Sequence, residues 1–271
     1  MIKIDNYLRP ASLEEAYEAA QKKNSVVLGG MLWLRLGTRR VGTAIDLTGL
    51  VSDQVEDAGD VYRIGAYTAL RTLETHEKLN GFTDGVFRRS LESLVGVQFR
   101  NLATVGGSVY GRFGFSDVIT VLLALDASVE LYKTGTVPLE TFCTMGKVND
   151  ILTHVILPKT PVSASYHAHR NAAADFPVLN VCAAKHGETI TVTVGARPLR
   201  AVPYRFSVNS ADIPAEAAER IAGEIAAETE FASNTRASAD YRRHLCRILV
   251  RRAVNDVLSG TGKEENEWRS L

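Results

Sequence analysis

The stretch from Gln98 to Asp117, QFRNLATVGGSVYGRFGFSD, constrains this chain more than any other. An extended run, Leu102 to Val105, leads into Gly106-Gly107, and Ser116-Asp117 opens the helix that follows. Adjacent glycines let a backbone approach a ligand with no Cβ in the way, and they tolerate positive φ. Successive amides in such a turn form a concave anion site suited to phosphate or pyrophosphate. A second pair, Gly29-Gly30, follows the apolar run Ser25 to Leu28. A lone pair would serve equally as a tight turn or bulge. Two pairs behind extended runs, one preceded by Arg100-Asn101, point instead to a dinucleotide. Commoner templates are missing. No Gly-x-Gly-x-x-Gly leads from a strand into a helix, so the Rossmann fingerprint is absent. Gly146-Lys147 lacks the upstream glycine and is followed by Val148, so there is no Walker A loop.

At 271 residues the chain is one large domain or two modest ones, with ample size for a core. Lys+Arg and Asp+Glu are both 31, which argues against electrostatic attraction of the whole protein to nucleic acid or membrane. The cysteines, Cys143, Cys182 and Cys246, are far apart and offer no local iron–sulfur or zinc site. They read as buried free thiols in a reducing cytoplasm. The N-terminus is no signal peptide, and the longest apolar stretch, Val118 to Leu125, is too short to span a bilayer.

Ser12-Leu-Glu-Glu15 is a capping box opening a helix to about Lys22. Strands are expected at Ser25–Leu28, Thr43–Leu47, Val61–Ala66, Ser128–Tyr132 and Leu152–Leu157. Between the second and third, Val51 to Asp60 reads as an acidic loop. Thr68 should cap a helix to about Leu79, and a second helix is expected over Asp84 to Val95. Another runs from Ser116 to about Leu125. Pro158-Lys-Thr-Pro161 reads as a linker, dividing the chain into domains at 1–160 and 161–271. Beyond it, Ser163–His169, Val178–Ala184 and Thr189–Ala196 alternate like antiparallel strands, the last two turning at His186-Gly187-Glu188. Helices follow from Asp212 or the Ile213-Pro214 start to about Glu228 and from Ser238 to about Leu258. The second should place Tyr241, Leu245, Ile248, Leu249 and Val257 inward and end at Gly260-Thr-Gly262. The tail from Lys263 is polar. Strands that alternate with helices but also form hairpins define an α+β class.

The central stretch resembles the second FAD-binding motif of the flavoprotein subunit of molybdenum hydroxylases, a family that includes the FAD subunits or domains of xanthine, carbon monoxide and nicotinate dehydrogenases. The matching residues are Gln98-Phe99-Arg100-Asn101, Ala103 to Ser108, Ser116-Asp117 and Leu122 to Ala127. The helix–strand–Gly-Gly order around Gly29-Gly30 resembles the family's first FAD motif, with Leu28, Met31 and Leu32 in place of its Ala, Thr and Asp or Asn. The C-terminal part is similar at Asp175-Phe176-Pro177, at Gly195 to Arg200 and at Tyr241 to Leu245, continuing to Arg251-Arg252-Ala253. The resemblance implies an FAD-binding domain of the p-cresol methylhydroxylase/vanillyl-alcohol oxidase type, with two α/β subdomains. A small C-terminal domain of antiparallel sheet plus helices would follow. It implies cofactor contacts at Val27, Leu28, Gly29, Gly30, Met31, Leu32, Val95, Thr104, Val105, Gly106, Gly107, Ser108, Ser116, Asp117, Leu152 and Tyr166. Tyr166 would lie over the flavin ring. A lysine that contacts FAD in some members is Ala168 here. The implied partners are a [2Fe-2S] small subunit and a molybdopterin large subunit, with NAD+ or another acceptor receiving the electrons. The chain has neither the cysteines nor the length to carry those groups itself.

Other constellations weigh less. His167-x-His169 puts two imidazoles on one strand face, but no carboxylate or cysteine sits at metal spacing. Arg242, Arg243, Arg247, Arg251 and Arg252 read as a solvated helix face or subunit contact, since no aromatics interleave them. Two rival readings remain open. One is a scaffold of the same fold that has lost FAD, suggested by Met31, Leu32 and Ala168. The other is a stand-alone flavin oxidase of the vanillyl-alcohol oxidase type.

Overall fold

The computed structural model describes residues 2–160, 162–209 and 211–260. Pro161 at the end of the expected linker, Gly262 and the tail from Lys263 lie outside them. The chain forms two compact units that interleave along the sequence. The first comprises 1–72, 97–111 and 127–158, and the second 73–96, 112–126 and 159 onward.

The first unit holds two sheets. In the smaller, β1 (Lys3–Leu8), β3 (Arg40–Ile45) and β2 (Ser25–Val27) lie parallel in that order. Parallel neighbours need a crossover, and α1 (Leu13–Gln21) supplies it between β1 and β2. Its start follows the capping box closely: Ser12 Oγ accepts from the Glu15 amide at 3.2 Å, and Glu15 reaches back to the Ala11 amide at 2.7 Å. The larger sheet is antiparallel, in the order β4 (Val55–Asp57), β5 (Val61–Gly65), β8 (Leu152–Pro158), β6 (Ser128–Leu131), β7 (Gly135–Pro138). Short helices α5 (Val97–Leu102), α6 (Val105–Tyr110) and α8 (Leu139–Thr144) complete the unit, and α6 packs on β5 and β8. The chain leaves this unit within α2 (Leu70–Thr75).

The second unit is built on one antiparallel sheet, ordered β12 (Val202–Ser207), β11 (Thr189–Gly195), β10 (Pro177–His186), β9 (Ser163–Arg170). The β10–β11 hairpin turns through two residues, with Gly187 at φ +58°, the positive angle that a primed turn requires at its first position. One sheet face, with Val181, Ala183, Ile190 and Val192, packs on α9 (Pro214–Glu228) and α10 (Ala239–Ser259). Ser238 caps α10, and Gly260 closes it at φ +73°. The opposite face meets α7 (Asp117–Ala124), all eight of whose residues are buried. α3 (Glu77–Phe82) and α4 (Val86–Leu91) also belong to this unit, and α4 packs on α7 and β9.

Several expectations are corrected. The run Leu102 to Val105 is no strand: it joins α5 to α6, and Gly106-Gly107 falls in the first turn of α6 behind the N-cap Thr104. The helix expected over Thr68 to Leu79 breaks into α2 and α3, because His76 caps the second by accepting the Leu79 amide at 3.1 Å. The helix expected over Asp84 to Val95 is only α4. Asp84 and Gly85 precede it at positive φ, and Val95 beyond it has φ +54°. Four strands went unanticipated, one of them the four-residue β7 at the edge of the larger sheet. β1 is mostly exposed, so its residues lack an apolar alternation. β4 is three residues long and lies inside the expected acidic loop. β12 carries Pro203 at a sheet edge, although Tyr204 and Phe206 do alternate onto the core.

On α10 the expected inward Tyr241 is 43% exposed, and Arg242, read as surface, is 1% exposed. The Arg242 guanidinium donates to the carbonyls of Val178, Ala232 and Ala237 and to Asn234 Oδ1 at 2.7–3.0 Å. Burial pulls its pKa below the ordinary arginine value. Arg247 and Arg251 pair with Glu219, and Arg243 pairs with Asp240, in keeping with a solvated face. Arg242→Met should leave those oxygens without donors. At about 1–3 kcal/mol for each buried unsatisfied acceptor, the loss should exceed about 3 kcal/mol, read as a large drop in the thermal unfolding midpoint.

Candidate functional site

Within the first unit the two glycine pairs meet. A Cβ on Gly30 would lie 1.8 Å from the Leu102 carbonyl oxygen, and one on Gly29 would lie 2.9 Å from Thr104 Oγ1 and 3.7 Å from the Gly107 Cα. Glycine is therefore required here for close backbone approach. Positive φ, the other expected reason, does not apply to any of the four glycines; it falls on Met31, at +57°, one residue later.

The amides of the two segments differ in what they have left to offer. In the second, Val105 N donates to Thr68 O, Gly106 N to Ala66 O at 2.8 Å, and Gly107 N to Thr104 Oγ1 at 3.1 Å. A Cβ on Gly106 would meet Ala66 at 2.7 Å, so this pair serves packing and capping. In the first segment, the amides of Gly29, Gly30, Met31 and Leu32 donate to no acceptor among the described residues. The Thr104 hydroxyl proton is uncommitted in the same sense. The loop is nonetheless held firmly. Leu28 N donates to Ile45 O at 2.8 Å, and the Tyr67 hydroxyl donates to Leu28 O at 2.5 Å while accepting from Leu47 N. Burial pushes the Tyr67 phenol up to about 12. After Leu32, which is buried, a 3-10 turn over Leu34–Leu36 follows, and Met31 and Leu34 pack on the Leu28, Val41 and Ala44 cluster. Val27 is 36% exposed beside this loop, Leu152 is buried on β8, and Ser108 Oγ donates to Thr104 O.

In the second unit, Ser116, Asp117 and Tyr166 come together, and Val95 lies exposed elsewhere in the unit. Ser116 caps α7, its Oγ accepting from Ile119 N at 3.2 Å. Asp117 is 2% exposed. Its Oδ1 accepts from the Tyr166 hydroxyl, from Arg170 Nη2 at 2.9 Å and from Asn180 Nδ2 at 3.0 Å, while Oδ2 has no partner among the described residues. Burial, then the Asp117 charge, pushes the Tyr166 phenol well above the usual tyrosine range. Tyr166, with Arg89, Glu92, His167, Ala168 and Arg170, lines a cavity of about 460 Å³ at the free edge of β9. Arg170 and Asn180 were missed as site residues. The sequence signal was the parity of the strands: Tyr166, Ala168 and Arg170 share a face, and Asn180 pairs with Ala168.

The histidine pair divides. His167 Nε2 meets Asp256 Oδ2 at 2.7 Å, and His169 Nε2 meets the Tyr241 hydroxyl at 3.3 Å. Among the described residues no group of three metal-capable side chains occurs. All three cysteines are buried, and burial raises the thiols of Cys246, to about 12, and of Cys182.

The profile for the FAD binding domain in molybdopterin dehydrogenase matches residues 2–160, and the one for the CO dehydrogenase flavoprotein C-terminal domain matches residues 164–257. The chain belongs to this family of FAD-binding oxidoreductase subunits of molybdenum hydroxylase type. It is similar to the nicotine 6-hydroxylase medium subunit of Paenarthrobacter nicotinovorans, at 24% identity over 92% of this chain and 95% of that one. Quinoline 2-oxidoreductase from Pseudomonas putida 86 shares the fold, with a TM-score of 0.80 at 18% identity over 94% and 97% of the two chains. So does the CO dehydrogenase from Oligotropha carboxidovorans, with a TM-score of 0.80 at 20% identity over 96% and 99%. The residues fit the cofactor: four uncommitted amides and a hydroxyl suit a pyrophosphate, and glycine at 29 and 30 keeps their approach clear.

Val95 is β-branched, 47% exposed and at φ +54°. Val95→Gly should therefore stabilise the protein by about 1–2 kcal/mol, the usual penalty of left-handed backbone, seen as a higher unfolding midpoint. Gly30→Ala should do the reverse and disrupt the loop, since nothing flexible lies in the way of the methyl group. The readout is loss of near-ultraviolet circular dichroism or of soluble protein.

Proposed function

We propose that this chain is the electron-transfer subunit of a molybdopterin-dependent hydroxylase in the cytoplasm. A [2Fe-2S] small subunit and a molybdopterin large subunit would be its partners, and NAD+ or another acceptor would receive the electrons. The observation that carries the reading is the run of uncommitted amides from Gly29 to Leu32, pinned by Tyr67, Ile45 and Leu102 rather than by bonds of its own. FAD supplies the chemistry, because a flavin accepts and donates one or two electrons. The protein supplies position. The Gly29 to Leu32 amides and Thr104 hold the pyrophosphate, Gly107 lies open beside them, and Val27 and Leu152 offer apolar contact. The same reading assigns Val95, Ser116, Asp117 and Tyr166 to the cofactor. No helix among the described residues is long and apolar enough to cross a membrane, in keeping with a cytoplasmic complex. Nicotine 6-hydroxylase contains its similar chain as a medium subunit, which supports the same place for this one. Because neither glycine motif contains a histidine or cysteine, the FAD is held without a covalent bond, and acid precipitation should release all of it.

Met31 offers a discriminating test. Its left-handed backbone suits Asn and Asp, and both substitutions remove the same packing on Leu28. Threonine, which the family resemblance favours at this position, is β-branched and strained there. Only Met31→Asp brings a negative charge to the pyrophosphate. At about 6 Å and an effective dielectric between about 20 and 80, the repulsion is roughly 1–3 kcal/mol. FAD affinity of Met31→Asp should therefore fall about fivefold to a hundredfold below that of Met31→Asn, measured by flavin absorbance against added FAD. Equal affinities would place the pyrophosphate elsewhere.

A further inference from the structure

We infer that Glu130 is a positioning residue at the centre of a proton-sensitive clasp, closed only while His154 carries no proton on Nδ1; its effect on the cofactor rests on the flavoprotein reading above. All of its parts belong to the first unit. β8 lies between β5 and β6, and its pairing with β6 skips a residue: Glu130 stands opposite His154, and Leu131 opposite Leu152. A bulge of this kind re-aims side chains. Here it turns both Thr153 and His154 toward Glu130. The Thr153 hydroxyl lies 3.1 Å from Glu130 Oε1 and 3.2 Å from the Glu130 carbonyl oxygen. From β5, Arg63 reaches across β8 and forks onto the Glu130 carboxylate at 2.7 and 3.1 Å.

His154 is the third member, its side chain 16% exposed. Its Nδ1 is 3.2 Å from Arg63 Nη2 and 3.5 Å from Glu130 Oε1. A guanidinium can only donate, so the contact with Arg63 needs a lone pair on Nδ1. A proton there sets donor against donor and charge against like charge, and gives Glu130 a second cation to bind in place of Arg63. Burial, then the Arg63 charge, holds His154 below the ordinary histidine value, against the opposite pull of Glu130 and of Glu56 on β4. The folded value therefore lies below the unfolded one of about 6.5. The stabilising effect is whole above that pH and is lost as the pH falls below it toward the folded value. The bulge is also tied to the candidate site. The Thr153 carbonyl accepts from the Ala66 amide at 2.9 Å, and the Ala66 carbonyl accepts from the Gly106 amide at 2.8 Å. Thr104 and Gly107, on either side of that amide, are the groups that Gly29 approaches. Opening the clasp frees the bulge, and with it the start of α6, to shift against the 28–32 loop.

The test uses the full chain and compares wild type with His154→Asn and Glu130→Gln over a range of about pH 5 to 8, which spans the ordinary histidine value. Asparagine offers an amide oxygen near the Nδ1 position, so it can accept from Arg63 but does not titrate. The readouts are FAD affinity by flavin absorbance, the thermal unfolding midpoint, and the imidazole nitrogen shifts of His154 by nuclear magnetic resonance. On acidification wild type should lose affinity by roughly two- to fivefold, the scale of a half-exposed ion pair. His154→Asn should keep its affinity across the range, and Glu130→Gln should bind more weakly than wild type at about pH 8 already. In wild type at that pH, His154 should carry its proton on Nε2. An acid loss of affinity that persists in full in His154→Asn overturns the inference. So does a proton on Nδ1 at neutral pH, or wild-type affinity in Glu130→Gln. A midpoint that responds to pH while affinity does not would make the cluster structural only and overturn the positioning role. If His154→Asn does not fold, the acid affinity of wild type must approach that of Glu130→Gln; a wild-type affinity that stays constant with pH overturns the inference. Wild type that takes up no FAD at any pH would overturn the flavoprotein reading, while the protonation site and the midpoint still test the clasp.

Discussion

The first unit depends on a contact that a single methyl group would prevent. Gly30 lies so close to the Leu102 carbonyl that the two loops meet backbone to backbone. That approach sets the position of the 28–32 loop against Thr104 and Gly107. The loop's rigidity comes from neighbours: the Ile45 carbonyl accepts from the Leu28 amide, and the Tyr67 hydroxyl donates to the Leu28 carbonyl. Its own amides are thus ordered before any ligand arrives. Ordering donors in advance lowers the entropy that binding must overcome.

The sequence carried this site unevenly. Glycine pairs mark close approach whichever element contains them, so Gly29-Gly30 and Gly106-Gly107 were readable as a meeting point. Which pair keeps free amides was not readable, because Thr68 and Ala66, whose carbonyls take the Val105 and Gly106 amides, lie some forty residues earlier. Helix caps were legible where a short polar side chain does the capping, as at Ser12, Ser116 and Ser238. His76 escaped because histidine seldom caps. Arg242 shows a different failure. Arg243 and Arg247 beside it on α10 are charged and solvated, and it is the carbonyls of Val178, Ala232 and Ala237 with Asn234 Oδ1, all outside its own helix, that turn it inward.

The second unit has two unlike faces on one sheet. Toward α9 and α10 the layer is aliphatic. Toward α7 it is polar, with Asp117, Thr120, Tyr166 and Asn180 bonded together, and Thr191 and Thr193 on the same side of β11. Buried polar groups tolerate few arrangements, because each needs a partner in place. The aliphatic layer can supply bulk stability. The polar layer sets register, since a slip of β9 by one residue would replace Tyr166 at Asp117 with a histidine or a serine.

The interleaving of the two units has a consequence for synthesis. The ribosome delivers α7 roughly forty residues before β9 and long before α10. Until β10 and β11 emerge, a helix buried on every side in the finished protein has no sheet to lie on. Nascent chains arrested near residue 160 would therefore display an apolar α7, a natural target for chaperones during translation. A fragment starting at 161 would carry the opposite defect, a sheet whose Thr191, Thr193 and Asn180 face stands bare. The gene cannot be cut between its two sequence modules without leaving the first product a piece of the second's interior.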